Sequence, residues 1–574
     1  MISIENMLDS RLSPDFSRKH PVLRRTMASF FRFLFHERAF IQFAERYPHL
    51  EGFDFVEQVL NHFDFDYRVF DREMERIPSS GRVVLVANHP LGSLDGLALL
   101  KMIGTVRRDV RIIANEVLYA IEPLRSLLLP VDNLSSRTRK ESVKAIRGWL
   151  ENDGVVIIFP AGEVSRLSSS GIKDGAWNTG FLRFAQATHS PILPVFVNGR
   201  NSVFFYALSL LARPLSTLLL VREMFLQASR HIDVTVGHTI YPEQYERLDL
   251  NLEGKARLIR KHVYALGKRK GLIGFTPETE VVAHPENRQL LKREIMQCEL
   301  LGETRDGKKI YLYHYQSNSV VMREIGRLRE VTFRTVKEGT GRRRDTDSYD
   351  QYYDHIILWD DSDLEIVGAY RMMQGAAAFR RNEAQPLYTQ TLFDYSASFA
   401  PCVKHGLELG RSFVQPRYWG KRSLDYLWYG IGAYLRRYPE LKYLFGPVSI
   451  SQEYPEEAAN LLIQFYGSEF PAQSPLVSAK NPWQPSSRSA REWEEQYASL
   501  PGYAERFTKM KSQLMAMGHN VPTLYKQYTE LCEEGGVQFA AFHVDRDFSN
   551  CVDGFIVVKI AKICESKRKR YTGL

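Results

Sequence analysis

The stretch "VVLVANHPLGSLDGLALL" runs from Val83 to Leu100. It joins a β-branched run to Asn88-His89-Pro90, a turn containing Gly92, and Asp95 at the head of an apolar, helix-like pattern. Short, continuously apolar runs of this kind belong to strands covered on both faces of a parallel sheet. In such sheets ligands bind beyond the carboxyl ends of the strands. A histidine placed there, facing an aspartate that can also cap the next helix, is a candidate general base with its tautomer fixed. Gly92 permits the tight turn between them. Taken alone, the same residues equally describe a histidine beside a helix cap.

The pattern repeats outward from this stretch. "RVVLVAN", "DVRIIAN", "GVVIIF", "PILPVFVN" and "HIDVTVG" read as strands between Arg82 and about Gly237. Between two of them, "TRKESVKAIRGWLEND" reads as a helix, with Thr138 and Glu141 as a capping box and Val143, Ile146 and Leu150 on one face. Strands alternating with helices give an α/β domain, placed over residues 1–275. "GLIGFTPETEVVAHPENRQ" reads as a linker, and a second α/β domain is placed over 290–574. Its strands are "YDHIILWD", "EIVGAYRMM", "LELGRSFV" and "YLFGPVSI"; its clearest helix is "SLDYLWYGIGAYLRRY". Residues 467–520, rich in Pro, Ser and charge, read as an insertion or lid.

Bulk properties agree with a large folded protein. At 574 residues the chain is too long for one core. A net charge of +9 suits an acidic partner: nucleic acid, anionic lipid head groups or an acidic carrier protein. Five cysteines with no C-x-x-C pair suggest a reducing compartment without zinc or disulfides. The polar start "MISIENMLDSRLSPDF" is unlike a signal peptide. "VFFYALSLLARPLSTLLLV", from Val203 to Val221, is long enough to span a bilayer but is broken by Arg213 and Pro214. It reads as a helix pair at the membrane interface, with a core segment or a span as alternatives, and "SFFRFLFHERAF" as a second interfacial patch. The "KRKR" tail, Lys567 to Arg570, reads as a basic surface for membrane or carrier.

Further blocks sharpen the first site. "GVVIIFPAGEVSR" places Phe159-Pro160-Ala161-Gly162-Glu163 after a strand, followed by Ser165 and Arg166, and "ILPVFVNGRNS" comes next. Asn-His, Phe-Pro-x-Gly and a Pro-containing strand, in that order over residues 80–240, resemble the glycerolipid acyltransferase family. The resemblance implies that His89 and Asp95 activate an acceptor hydroxyl against an acyl thioester. It makes Asn88, Gly92, Phe159, Pro160, Gly162, Glu163 and Arg166 binding candidates. Two departures matter: five residues separate His89 from Asp95 where the family has four, and the usual Phe-Pro-Glu-Gly-Thr becomes Phe-Pro-Ala-Gly-Glu. The acceptor therefore need not be a glycerol phosphate.

"LELGRSFVQPRYWGKRSLDYLWYGI", Leu407 to Ile431, reads as a strand, a basic turn and a helix whose first N–H groups can bind a phosphate. It resembles the N-acetyltransferase fold, whose signature is Arg/Gln-x-x-Gly-x-Gly/Ala. Arg417 and Gly420 fit, Lys421 lies between, and Arg422 replaces the last small residue. A loop with fewer glycines favours the single phosphodiester of a carrier-bound pantetheine over coenzyme A. Residues 310–560 further resemble acyl-homoserine-lactone synthases and, more closely, the ornithine-lipid N-acyltransferases. That resemblance implies acylation of an amino acid's α-amine by a 3-hydroxyacyl group from acyl carrier protein. Glu408 is the candidate for positioning or deprotonating the amine, with Asp350 and Asp354 holding the acceptor.

Together the halves resemble the fused ornithine-lipid synthases of bacteria. The expectation is an acyltransferase in which the second domain makes an amide, ornithine being the expected amino acid, and the first esterifies the 3-hydroxyl thus introduced. Thioester transfer needs a base and a polarised carbonyl but no metal. The expected co-substrate is acyl-acyl carrier protein, with no bound cofactor. Expected partners are acyl carrier protein, membrane lipids and an amino acid, not nucleic acid, at the cytoplasmic face of the inner membrane as a peripheral protein. The alternative is a lysophospholipid O-acyltransferase whose second domain is a separate enzyme or a non-catalytic carrier-docking module.

Overall fold

The computed structural model describes residues 37–572 except 93, 115, 120, 132–135, 169–170, 212–219, 228–230, 269–274, 276–278, 377–385, 485–492, 494, 498, 547 and 549. The chain divides into two compact units, Met1–His284 and Pro285–Leu574. The division falls inside the stretch broken by proline and glycine.

In the first unit seven strands form one sheet: β1 (Asp66–Arg68), β2 (Val83–Ala87), β3 (Val110–Ala114), β4 (Leu128–Pro130), β5 (Val155–Ile158), β6 (Ile192–Asn198) and β7 (His231–Val236). Their spatial order is β1-β7-β6-β2-β5-β3-β4. All neighbours are parallel except β6 and β7. Every residue of β2 and β5 is buried, as continuous apolarity requires of strands covered on both faces. Helix α1 (Leu94–Val106) follows β2, and α2 (Ser136–Glu151) precedes β5. In α2, Ile146 and Leu150 are buried but Val143 is exposed. Thr138 lies inside that helix, so the expected capping box is not its start.

The apolar stretch after Asn201 forms helix α3 (Val203–Leu211), and a separate helix covers Leu220–Leu226. Arg213 and Pro214, and most of "SFFRFLFHERAF", lie outside the described residues. Among the described residues no helix is long and apolar enough to cross a membrane. Val203 and Phe204 are exposed while Phe205 and Tyr206 are buried, so α3 presents an apolar outer face. Helix α4 (Leu252–Leu266) buries Ala256, Ile259 and Val263.

The second unit holds an eight-stranded sheet: β8 (Glu299–Glu303), β9 (Lys309–Tyr313), β10 (Asp354–Asp360), β11 (Glu365–Gln374), β12 (Gly406–Val414), β13 (Tyr443–Ile450), β14 (Val537–Asp545) and β15 (Cys551–Lys559). The order is β8-β9-β10-β11-β12-β13-β15-β14. Only β12 and β13 are parallel neighbours, and they pair only at Gly406–Glu408 with Tyr443–Phe445. Beyond Glu408 that ladder stops. Helix α5 (Val320–Thr335) precedes β10, and α6 (Ser423–Arg437) connects β12 to β13. Leu427, Trp428 and Ile431 of α6 are buried in the main core.

One expectation is corrected here. The 467–520 stretch is not a lid: its helix α7 (Tyr503–Ala516) seats Met510 and Leu514, both fully buried, in that same core. Its Val477–Ala479 strand pairs with Phe393–Tyr395. The basic tail is ordered and keeps Arg568, Lys569 and Arg570 exposed. It forms helix α8 (Glu565–Thr572), in which Arg570 and the Tyr571 hydroxyl both bond Asp425, and Arg568 donates to the Ala561 and Ile563 carbonyls. Gly432 lets α8 come close, since a Cβ there would stand 2.0 Å from the Tyr571 carbonyl oxygen.

Candidate active sites

His89 lies just past the carboxyl end of β2. Its Nδ1 stands 3.0 Å from Asp95 Oδ2. The same oxygen accepts the Leu91 N–H at 2.9 Å and the Gly92 N–H at 3.3 Å, while Oδ1 accepts the Gly96 N–H. Asp95 therefore sits within the first turn of α1 and reaches back over the loop, rather than capping the helix from outside. Gly92 adopts φ +103, a left-handed conformation costly for other residues. Burial opposes charge on His89, but Asp95, with help from Asp174, outweighs it and raises the imidazole above its ordinary value. Asp95 is lowered: burial opposes that shift, but His89 and the two loop N–H groups prevail.

The Phe-Pro-Ala-Gly-Glu block closes over this pair. Phe159 stacks on the His89 ring at 4.0 Å and 21°. The Ser165 N–H donates to the His89 carbonyl at 2.7 Å. Gly162 turns at φ +68, and the Pro160 carbonyl accepts the Asn178 N–H. Glu163 and Arg166 pair with each other at 3.0 Å beside the histidine loop. Asn88 is corrected: its side chain is 3% exposed and spends both amide groups on the Val197 backbone, at 2.8 and 2.7 Å. It staples β2 to β6 and is closed to a ligand.

Sequence reasoning missed Asp174. This buried carboxylate accepts the His89 N–H at 3.2 Å, the Ser165 hydroxyl at 2.5 Å and the Trp177 indole N–H at 3.0 Å. Its own N–H donates to the Tyr264 hydroxyl of α4. Asp174 thus locks the two motif loops together. The signal was the stretch "KDGAW" directly after the Arg166–Ser168 and Gly171–Lys173 hairpin.

In the second unit the chemistry gathers on one face of the sheet. Pairing and alternation put His355, Arg371 and Glu408 on that face. A bulge between the β11 and β12 registers, with Arg411 at φ +47, turns Arg411 onto it as well. Asp350 Oδ1 accepts Arg329 at 2.8 Å, Arg371 at 3.1 Å and His355 Nε2 at 3.3 Å. Asp347 takes Arg371 at 2.6 Å, and Asp345 stands 3.6 Å from Arg411. Three tyrosines, 349, 353 and 388, surround the Arg371 guanidinium at 5.8, 5.1 and 5.1 Å. Burial pushes His355 down to about 4, so it serves Asp350 as a neutral N–H donor.

These positions revise three expectations. Asp350 is 2% exposed and fully engaged, with its carboxyl held well below the ordinary range against burial by Arg329 and Arg371; it anchors the arginines and is closed to an acceptor. Asp354 is on the opposite face from His355 and pairs with His314 at 2.6 Å, away from Asp350. Glu408 is 1% exposed and accepts the Tyr353 hydroxyl at 2.6 Å and the Thr389 N–H at 2.8 Å, so it orients the 388–389 turn. Its carboxyl is raised by burial.

At the start of α6, Gly420 turns at φ +73 with open space around it, and Lys421 and Arg422 are exposed. The residue preceding the helix, Arg422, makes no capping bond with its side chain. Arg417 departs from the expectation: it is bound to Asp363 and Glu365, which neutralise it.

Comparison with known proteins agrees with both halves. An acyltransferase family profile matches residues 12–270, and the acetyltransferase (GNAT) domain profile matches 328–429. The glycine N(alpha)-acyltransferase of Bacteroides thetaiotaomicron is 30% identical over 51% of this chain and 89% of that protein. The lyso-glycine lipid O-acyltransferase of Phocaeicola vulgatus is 27% identical over 46% of this chain and 95% of that protein. The L-ornithine N(alpha)-acyltransferase of Rhizobium meliloti is 29% identical over 41% and 73%. The chain is an enzyme that transfers acyl groups. It belongs to the aminolipid-forming acyltransferases, with an acyltransferase domain and a GNAT domain fused as in ornithine-lipid synthases.

Proposed function

We propose that this chain builds an aminolipid by two successive acyl transfers, with ornithine as the amino acid and acyl carrier protein as the donor. The observation that carries the reading is the presence of both sites in one chain: the hydroxyl that the first unit needs comes on the acyl group that the second unit attaches. In the second unit the free α-amine attacks the thioester carbonyl of a 3-hydroxyacyl group. The C–N bond forms, the C–S bond breaks, and the pantetheine thiol leaves with the amine's proton. The open α6 N-terminus with Lys421 and Arg422 suits the pantetheine phosphate. In the first unit, Asp95 holds the proton on His89 Nδ1, which leaves Nε2 to take the proton of the 3-hydroxyl. The alkoxide oxygen attacks a second thioester, and Nε2 returns the proton to the leaving thiolate.

The exposed outer face of α3, with Val203 85% and Phe204 56% accessible, suits a peripheral enzyme working on lipid at the cytoplasmic face of the membrane. Ornithine is the acceptor named for one set of relatives and glycine for another, so the amino acid is tested directly. Lipids extracted from a host that makes neither lipid, expressing this chain and fed labelled amino acids, should gain a phosphorus-free lipid carrying labelled ornithine. Altered phospholipids alone would instead support the lysophospholipid reading, which the neutralised Arg417 favours.

A further inference from the structure

We propose that ester formation by the first unit is switched on by the lipid surface, with Asn201 as the positioning residue that carries the contact from α3 to the His89 loop. This rests on the reading of the first unit as an O-acyltransferase with a lipid acceptor.

Two contacts tie α3 and the helix after it to that loop. Asn201, two residues before α3, is 7% exposed. Its amide N–H groups donate to the Pro90 carbonyl at 3.1 Å and the Leu91 carbonyl at 3.5 Å. Its Oδ1 is buried without a hydrogen-bond partner among the described residues. Leaving a buried carbonyl idle is costly, so the side chain is placed by what its N–H groups hold. Leu220 makes the second contact: it lies over Gly92, where a Cβ would stand 3.1 Å from its Cδ2. The residues held here are the ones that support the base. Asp95 Oδ2 accepts the Leu91 and Gly92 N–H groups while it bonds His89. A shift of Leu91 and Gly92 therefore alters the support of the imidazole.

The other end of both contacts is α3. The Asn201 N–H donates to the Tyr206 hydroxyl at 3.1 Å, and Leu220 packs against Phe205 and Tyr206. Ser202 accepts the Phe205 N–H at 3.2 Å. Glu223, 1% exposed, accepts the Ser202 N–H at 2.6 Å and its hydroxyl at 2.7 Å, which binds α3 and the Leu220–Leu226 helix into one piece. The outer face of that piece shows Val203 and Phe204 to solvent, with the Arg222 guanidinium 5.4 Å from the Phe204 ring. Apolar side chains beside a cation suit the boundary of an anionic bilayer. Lipid that holds one position of α3 better than another shifts the piece, and Asn201 and Leu220 pass the shift to the loop.

The test uses the purified full chain, acyl-loaded carrier and a short-chain, water-soluble mono-acylated ornithine, so that the acceptor reaches the site without a membrane. Ester formation is measured with and without added vesicles of phosphatidylethanolamine and phosphatidylglycerol, and vesicle binding by flotation. Vesicles should raise kcat by about 5- to 100-fold, the range of ordinary coupling between two sites. Phe204→Ser, a change at an exposed position, should weaken flotation and bring the ratio of the two rates towards one. Asn201→Ala should float with the vesicles as before and still lose the rise. An unsubstituted chain with equal rates in both conditions overturns the switch. So does a full rise in Asn201→Ala, or the loss of esterification by that folded variant in both conditions alike. No ester from the unsubstituted chain in either condition would refute the O-acyltransferase reading itself.

Discussion

Asp95 Oδ2 bonds His89 Nδ1 and the Leu91 N–H at once, at 3.0 and 2.9 Å. One carboxylate oxygen thereby fixes both the imidazole and the loop that presents it. Such a base costs little reorganisation at the moment of proton transfer.

His89→Ala should stop ester formation and leave amide formation running, because the imidazole serves only the hydroxyl step. Mass spectrometry should show the mono-acylated aminolipid accumulating. A normal yield of the doubly acylated lipid would remove His89 from the mechanism.

The pH dependence follows from the pair. The folded His89 is raised above its ordinary value, so its contribution to stability is full below that value and fades as pH rises through the raised one. A neutral base needs the opposite side, so ester formation should climb through that same raised value. Asp95→Asn removes the carboxylate that raises it. The acid limb of the rate profile should then move to lower pH while the maximal rate falls ~10²-fold or more. An acid limb that stays in place would mean another group titrates there.

Asp174 is expected to act by holding the loops. Asp174→Ala orphans the Ser165 hydroxyl, the Trp177 indole and the His89 N–H, each a group that burial makes costly to leave unpaired. A loss of about 1–3 kcal/mol per orphaned group should show in chemical unfolding of the first unit. Loss of activity without loss of stability would contradict that role.

Gly432→Ala tests the docking of α8. The added methyl would meet the Tyr571 carbonyl at 2.0 Å, so one helix must shift, at a cost of about 1–3 kcal/mol. An unchanged melting temperature would show that α8 does not pack on α6 in solution.

The sequence displayed what depends on local pattern. Continuous apolar runs marked β2, β5 and β6, and the spacing of His89 and Asp95 marked a strand-end site. What it hid depends on pairing across the chain. Asn88 reads as a binding residue until β6 is placed beside it, when its amide proves to be a staple. Asp350 and Asp354 look equivalent four residues apart, yet strand alternation sends the residues beginning β10 to opposite faces. Arg371 and Arg411 come together on Asp347 only when β11 and β12 lie in one sheet, and Arg411 needs a bulge to join that face. Arg570 reads as free charge because its partner, Asp425, lies 145 residues earlier.

The most direct test of two linked acylations uses Gly420. Nothing crowds this residue, so a bulky substitution acts on its φ of +73 and on the open helix start, not on the core. The full chain carrying Gly420→Phe should make no amide and, for want of acceptor, no ester, although His89 and Asp95 are untouched. Supplying synthetic mono-acylated aminolipid with acyl-loaded carrier should restore ester formation to the unsubstituted rate. A folded variant that esterifies nothing even with that substrate would contradict the account, because the first unit would then act on some other acceptor.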